Sequence, residues 1–147
     1  MTGRKRVLIL CTGNSARSQM AEGLLRRDGD RDFIVESAGL EPRLVKPEAI
    51  EVMRELGIDI SGHRSKSIDE FLGQPFDYVI TVCDNAKQNC PIFPAATQRI
   101  HWSLEDPAAV AGDEQTRLQA FRGTRDVLRE RLSKFINTHS ESPDPGD

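Results

Sequence analysis

The sequence predicts an α/β fold with three layers, in which a four-stranded parallel sheet is flanked by helices. Short apolar runs alternate along the chain with segments that place apolar residues at helical spacing, which is typical of such a sheet. No internal repeat or second domain is visible in the 147 residues, so we expect one domain over residues 1–139. The polar residues 140–147 cannot pack against a core and are expected to form a disordered tail.

Each of the four strands is predicted from a short run of mainly β-branched and aliphatic residues. Residues 7–10 are apolar without alternation, which is typical of a strand buried on both faces of a parallel sheet. Further strands are predicted at residues 33–35, 78–82 and 99–102, and the small residues 37–39 are expected to close the second one.

The segments between the strands carry helical spacing and helix boundary signals. Residues 18–27 place apolar side chains at helical spacing. Residues 49–56 continue a helix that Pro47 suits at its start and Gly57 ends. A short helix is predicted at residues 68–72.

The last helix is the longest, and Asp113 is placed to cap its N-terminus. His139 is assigned to the tail that follows this helix. The predicted buried side consists of Leu118, Phe121, Val127, Leu128, Leu132, Phe135 and Ile136.

Composition and charge favour a globular protein and argue against several classes of partner. Apolar residues make up 37% of the chain, and the net charge of −3 argues against a nucleic acid or a membrane surface as the main partner. No apolar run reaches the roughly 18 residues of a membrane span, and the stretch after the basic N-terminus is too short for a secretory signal. We therefore expect a cytoplasmic monomer, and the three cysteines suit reduced thiols better than a disulfide framework.

The most informative segment is residues 11–18, where a strand delivers Cys11 into a loop of small polar residues before a helix begins near Arg17. Backbone N–H groups of such a loop and of a helix N-terminus bind a tetrahedral oxyanion. The same field stabilises a thiolate at Cys11, and Arg17 can hold two oxygens at once. Ser18 can donate to the thiolate, and Asn14 can adopt left-handed backbone geometry. The candidate binding residues are Thr12, Gly13, Asn14, Ser15, Ala16, Arg17 and Ser18.

Two further segments follow predicted strands and should meet this loop at one edge of the sheet. Cys83 ends the third strand, and residues 105–107 follow the fourth. Ligands of parallel sheets bind at the carboxyl ends of strands, near a switch in strand order. Asp106, which precedes a proline on its loop, is selected by this position as the proton donor for a leaving oxygen.

Six motifs occur in a specific order along the chain: CTGNSARSQMAEG at 11–23, SAG at 37–39, GIDIS at 57–61, TVC at 81–83, NCP at 89–91 and HWSLEDP at 101–107. They closely resemble arsenate reductases built on the low-molecular-weight protein tyrosine phosphatase fold. The resemblance implies that Cys11 is the nucleophile, Arg17 the oxyanion clamp and Asp106 the general acid. It also implies arsenic detoxification without a bound cofactor and with thioredoxin as the external reductant, although the residues alone leave a glutathione–glutaredoxin system open.

Cys83 and Cys90 distinguish a reductase from a phosphatase, because reduction of As(V) needs two electrons that two thiols supply by forming a disulfide. We infer a relay in which Cys11 attacks arsenate, Cys83 then attacks Cys11 with release of arsenite, and Cys90 attacks Cys83. Residues 84–89 have almost nothing apolar to anchor them, so we expect a turn that rearranges at low cost. A zinc site is disfavoured because the three cysteines and the histidines lack ligand spacing.

The chain departs from its relatives at two positions. Some relatives have a fourth cysteine where Ala16 stands, and its absence should not stop the relay. Certain relatives bind a potassium ion through positions that match Asn14, Glu22, Ser37 and an acidic residue. Lys66 occupies the acidic position here, so its ammonium either replaces the ion or points to solvent, and we expect no bound metal.

Two other functions are left open by the sequence. A phosphatase acting on phosphotyrosine or phosphoarginine would share Cys11, Arg17 and Asp106, but such enzymes often carry aromatic residues where this chain has Ala-Ala-Val at 108–110. Residual phosphatase activity is expected in either enzyme, because arsenate and phosphate share shape and charge.

A non-enzymatic oxyanion or redox sensor would signal through a disulfide between the second and third cysteines. None of the three histidines has an evident partner in the sequence.

Overall fold

The computed structural model describes residues 4–91, 93 and 97–139, and these residues form a four-stranded sheet. The strands are β1 (Lys5–Cys11), β2 (Phe33–Gly39), β3 (Tyr78–Thr81) and β4 (Gln98–His101). Their order is β2-β1-β3-β4, and all neighbours are parallel. The predicted sheet is confirmed, except that residues 37–39 extend β2 instead of closing it.

The direction of the chain across the sheet switches between the two central strands, β1 and β3. From β1 the chain passes to β2 on one side, and it later returns to β3 on the other side. All four residues from Val7 to Leu10 are fully buried, so both faces of β1 are covered. The carboxyl ends of β1 and β3 therefore meet at the position where parallel sheets bind ligands.

The helices are α1 (Arg17–Gly29), α2 (Pro47–Arg54), α3 (Asp84–Gln88) and α4 (Glu114–His139), and 3-10 helices span Ile68–Phe71 and Pro107–Ala109. α1 packs against β2 and α4, and α2 packs against α4. Helix α2 ends as the sequence predicts, because Gly57 has a φ of 76° and its N–H donates to the carbonyl of Arg54. The three-layer α/β prediction is confirmed.

Helix α4 is capped and buried largely as predicted, with one residue wrong. The Asp113 carboxylate accepts a hydrogen bond of 2.8 Å from the N–H of Thr116. Val127 is predicted in the core but is 40% exposed. The buried face of α4 includes Arg125 instead, which lies at helical spacing from Phe121 and Leu128. The Arg125 guanidinium donates to the carbonyl of Val52, so its burial is satisfied by a hydrogen bond.

The assignment of His139 to the tail is also wrong. His139 is the last residue of α4, and its ring centroid lies 4.9 Å from that of Tyr78 and 4.8 Å from that of Phe135. The predicted tail, residues 140–147, lies outside the described residues. Among the described residues, no helix is both long and apolar enough to cross a membrane.

Gly39 lets the end of β2 lie directly against the loop at residues 11–18. A Cβ atom built on Gly39 would lie 2.6 Å from the carbonyl oxygen of Thr12 and 2.8 Å from the backbone nitrogen of Asn14. Both neighbours are backbone atoms, which cannot rotate away as a side chain can. Any side chain at position 39 would therefore displace the loop.

We expect Gly39→Ala to destabilise the protein by about 1–3 kcal/mol, because the added methyl overpacks a backbone contact. At this chain length the melting temperature should fall by roughly 2–4 °C per kcal/mol, measured by circular dichroism. Gly62→Ala is the matched control, since nothing lies within 4 Å of a Cβ at that position. Equal melting temperatures for Gly39→Ala and the wild type would contradict the close approach.

Candidate active site

The loop at residues 11–18 joins β1 to α1 at the carboxyl edge of the sheet. Cys11 is the buried last residue of β1. The chain then turns through Asn14, whose φ of 48° confirms the predicted left-handed geometry. Ala16 precedes α1 and has only a methyl group, so no side chain at the N-cap binds the first N–H groups of the helix. These N–H groups are available to an anion.

The carbonyl groups of this loop are held by the segment at residues 40–46, which follows β2. Backbone N–H groups of this segment donate to the carbonyl oxygens of Cys11, Thr12, Gly13 and Ser15 over 2.8–3.2 Å. The carbonyl dipoles are thereby held towards the neighbouring segment. This arrangement suits a loop whose N–H groups bind a negative charge.

Arg17 and Asp106 approach the loop from α1 and from the segment after β4. The Nη1 atom of Arg17 donates 2.8 Å to the carbonyl of Leu104, which fixes the guanidinium beside that segment. The Nε atom of Arg17 is buried and has no hydrogen-bond partner among the described residues, so one donor is left for a ligand. Asp106 is exposed at the pocket, and its Oδ1 accepts from the N–H of Ala108.

Cys11 ends β1, and Cys83 lies two residues after the end of β3, at the N-cap of α3. Interaction with the Cys11 thiol, together with donation from the Thr12 hydroxyl and the Ala86 N–H, lowers the pKa of Cys83 to about 5, against the raising effect of burial. Interaction with the Cys83 thiol and burial raise the pKa of Cys11, although Arg17 acts in the opposite direction. The pair therefore holds one proton and one negative charge near neutral pH.

The Thr12 hydroxyl has its donor direction fixed by its second partner. Its Oγ lies 3.3 Å from the Sγ of Cys83 and accepts a hydrogen bond of 3.1 Å from the Nδ2 of Asn85. Because the Asn85 amide nitrogen can only donate, the Thr12 oxygen accepts there and its proton is left for Cys83. The contact supports the thiolate form of Cys83. Within its described part the structure shows no comparable bond from Ser18 to Cys11, and Ser18 Oγ accepts from Asn14 instead.

The expected turn at residues 84–89 is wrong, because most of it forms α3, which begins directly after Cys83. Ala86 is fully buried, and the Asn85 side chain is tied to Thr12, so the segment has anchors that its polar sequence hides. Cys90 lies just beyond α3 and is half-buried, and burial raises the pKa of its thiol. The described cysteines are all free thiols.

His101 has partners that the sequence does not reveal. Its Nε2 lies 3.0 Å from the Oδ1 of Asp84, and its Nδ1 lies 2.8 Å from the Oγ of Thr81. The hydrogen bond from His101 lowers the pKa of Asp84. These contacts tie the first turn of α3 to β4, the edge strand.

Asn14 holds the loop in place through a buried hydrogen-bond network. Its Nδ2 donates 2.8 Å to Ser18 Oγ and 2.9 Å to Ser37 Oγ, while its Oδ1 accepts from Gln19 and from the N–H of Lys66. The side chain thus uses both its donor and its acceptor capacity.

Lys66 points inward. Its side chain is 9% exposed, and its ammonium lies 3.5 Å from the buried carboxylate of Glu22, which also accepts from Ser37 and from Arg26. His63 lies 3.7 Å from the same carboxylate, so this histidine too has partners, and burial lowers its pKa. A protein cation therefore occupies the place where the resemblance implies potassium, and the residues do not fit a second cation there. No group of three or more His, Cys, Asp or Glu in the described chain could hold a metal.

These elements surround a pocket of about 420 Å³ above Cys11. Asp106 and residues 11–13 and 15–17 of the loop line it, whereas the predicted binding residues Asn14 and Ser18 are fully buried and do not. The lining also includes Arg43 and Lys46, which the sequence reasoning missed, and the small side chains of Ala108 and Ala109. Position could have found Arg43 and Lys46, because they follow β2 at the same carboxyl edge of the sheet. None of the described lining residues is aromatic.

We expect Lys66→Met to lower the free energy of unfolding by about 1–3 kcal/mol, because the buried Glu22 carboxylate loses a cation but keeps Arg26. Lys134→Met is the matched control, since Lys134 is exposed. Potassium and sodium chloride at equal ionic strength should give the wild type the same melting temperature. A marked rise with potassium, or a neutral Lys66→Met, would contradict the role of Lys66 as an internal cation.

Comparison with known proteins places this geometry in a family. The family model for the low molecular weight phosphotyrosine protein phosphatase matches residues 6–142. An arsenate reductase of Halalkalibacterium halodurans is 42% identical over 135 residues, which cover 92% of this chain and 97% of the relative.

Two solved structures illustrate the similarity in fold. An arsenate reductase in the phosphate binding state has a TM-score of 0.75 and 36% identity, covering 92% of this chain and 99% of its own. A thioredoxin-dependent arsenate reductase of Corynebacterium glutamicum has a TM-score of 0.64 and 27% identity, covering 91% of this chain and 64% of its own. The chain belongs to the low molecular weight phosphotyrosine protein phosphatase family, and within it the chain is similar over nearly its whole length to arsenate reductases.

Proposed function

We propose that this protein reduces arsenate to arsenite through a thiol–disulfide relay from Cys11 to Cys83 to Cys90. The observation that carries the proposal is that Cys11 and Cys83 follow neighbouring parallel strands to the same edge of the sheet, where each thiol shifts the pKa of the other. The similarity to arsenate reductases supports the substrate, and the thioredoxin-dependent relative supports the reductant. The proposed role is arsenic detoxification in the cytoplasm, by a monomer with one domain over residues 1–139 and no bound cofactor.

In the first step, arsenate binds with its oxygens towards the loop N–H groups and Arg17. Cys11 passes its proton to Cys83 and attacks arsenic, so that a sulfur–arsenic bond forms and an arsenic–oxygen bond breaks. The leaving hydroxide departs as water with a proton from the Asp106 carboxyl group. Arsenic is still As(V) in this adduct.

In the second step, Cys83 gives its proton to an oxygen of the adduct and attacks the sulfur of Cys11 as a thiolate. The sulfur–sulfur bond forms while the sulfur–arsenic bond breaks, and the electron pair of that bond passes to arsenic. Arsenite, As(III), leaves and the Cys11–Cys83 disulfide remains. The low pKa of Cys83 favours this step because the thiolate is the reactive form.

In the third step, the thiolate of Cys90 attacks Cys83 and releases Cys11 as a thiolate. Helix α3 occupies residues 84–88 between the two cysteines, and a disulfide requires their Cα atoms to come within about 7 Å. In the proposed relay α3 unwinds to allow this approach, with loss of the Asn85–Thr12 and Asp84–His101 contacts. Exchange with the dithiol of thioredoxin, or of a glutathione–glutaredoxin system, then restores both thiols.

A phosphatase function is the second candidate, since it needs only Cys11, Arg17 and Asp106. The pocket favours a small inorganic anion over an aryl ester, because Ala108 and Ala109 line it where an aromatic ring could hold such a substrate. Residual hydrolysis of phosphate esters is part of the proposal.

We expect the wild type to consume NADPH with arsenate, thioredoxin and thioredoxin reductase, and Cys83→Ser and Cys90→Ser to lose about 100-fold or more of this turnover. Cys90→Ser should still release one arsenite per chain and accumulate the Cys11–Cys83 disulfide, which mass spectrometry detects. Hydrolysis of p-nitrophenyl phosphate is the internal control for Cys90→Ser, because it needs Cys11 but not Cys90. Hydrolysis without arsenate turnover in the wild type would make the protein a phosphatase.

The pH dependence of the thiolate tests the electrostatics of the pair. The ultraviolet thiolate absorbance should rise with pH at a midpoint of about 5, because the pKa of Cys83 is lowered and the proton is lost above that value. Thr12→Val should move the midpoint to higher pH by removing the hydroxyl donor.

Cys90→Ser is the matched control for that titration and should leave the midpoint unchanged, since burial raises the pKa of Cys90 instead. A wild type with no thiolate absorbance at neutral pH would show that both sulfurs of the pair are protonated, contrary to the proposal.

A further inference from the structure

We propose that Arg43 and Lys46 form a cationic collar at the mouth of the pocket, which captures small dianionic oxyanions and thereby determines substrate selectivity. The inference rests on the proposed function and adds residues that recognise the charge of the substrate. The collar consists of these two residues, and neither belongs to the loop that binds the oxyanion.

The backbone positions of the collar are fixed relative to the loop. The N–H of Arg43 donates 2.8 Å to the carbonyl of Gly13, and the N–H of Lys46 donates 2.8 Å to the carbonyl of Ser15. The aliphatic part of Arg43 lies across Gly13, since a Cβ built there would be 3.7 Å from its Cδ atom and 3.8 Å from its Cγ atom. Both side chains line the pocket above Cys11.

The charges of the collar are available to a ligand. Within the described part of the chain, no acidic side chain forms an ion pair with either Arg43 or Lys46, whereas many other arginines of the protein are paired. Together with Arg17 the collar gives the pocket three cations, and Asp106 is the single acidic residue of its described lining. The whole chain carries a net charge of −3, so the positive charge is local to the pocket.

A local positive charge of this kind favours a dianion over a monoanion or a neutral molecule, because the Coulomb energy grows with the charge of the ligand. It also raises the rate of encounter with the anion, and salt screens this effect. Apolar contacts contribute little to selectivity, because the apolar part of the lining after Asp106 consists of the small side chains of Ala108 and Ala109. Charge and size are therefore the properties by which this pocket selects its substrate.

The test measures binding of inorganic phosphate to the reduced full chain by isothermal titration calorimetry, so that no turnover is needed. Arg43→Gln/Lys46→Gln should weaken phosphate binding about tenfold and make it less sensitive to ionic strength. Arg129→Gln/Arg131→Gln is the matched control, since it removes the same net charge from exposed positions of α4 that do not line the pocket. Melting temperatures of both double variants verify that they are folded.

Arg43→Lys distinguishes charge from shape, because it keeps the cation and changes the guanidinium geometry. A phosphate affinity within about threefold of the wild type would support capture by charge. Unchanged phosphate affinity in the collar variant, or an equal loss in the α4 control, would overturn the proposal. Failure of the proposed function would give a different result: phosphate would bind with an affinity that depends on the collar, but arsenate would give no turnover. With arsenate as substrate, kcat/KM should fall in the collar variant while kcat is retained.

Discussion

The loop at residues 11–18 keeps its shape because Asn14 adopts a left-handed backbone conformation and its side-chain amide is hydrogen-bonded inside the protein. Few non-glycine residues adopt this conformation, and asparagine does so at low cost. The side chain of Asn14 connects the loop to α1, to β2 and to the segment that contains Lys66. The directions of the loop N–H groups, and with them the proposed binding of an anion above Cys11, depend on these bonds.

The proposed relay places two opposite demands on α3. While arsenate binds, the helix has to hold Cys83 against Cys11, and the Ala86 N–H and the Thr12 hydroxyl stabilise its thiolate. After arsenite leaves, the same helix has to unwind so that Cys90 can reach Cys83. A helix of five residues reconciles these demands, because it has few hydrogen bonds of its own and depends on contacts with its neighbours. The anchors at Asn85 and Asp84 are polar and partly exposed, so water can replace them at modest cost.

The sequence predicts the sheet and the placement of the site well, because both follow from local patterns. The apolar run of β1, the small polar loop after it and the position of Asp106 after β4 are each visible in a few consecutive residues. What it does not predict arises from contacts between distant segments. Val127 is apolar but does not lie on the buried face of α4, which includes Arg125. The hydrogen bonds that anchor α3 come from Thr12 and His101, which are remote from it in the chain. For the same reason the sequence left open whether Lys66 points inward, since that depends on where Glu22 lies in space. Arg43 and Lys46 were missed although their position after β2 indicates the carboxyl edge of the sheet.

The hydrogen bonds between residues 40–46 and the loop at residues 11–18 use only backbone atoms. The side chains of that segment can therefore be exchanged without breaking the bonds that shape the loop, as long as the backbone path is kept. In the proposed function, reactivity and recognition are therefore separately encoded: residues 11–18 carry the chemistry, and Arg43 and Lys46 of the neighbouring segment select the anion. A protein built in this way can acquire a new substrate preference by point substitutions at the mouth of the pocket, while its nucleophile stays in an unchanged environment.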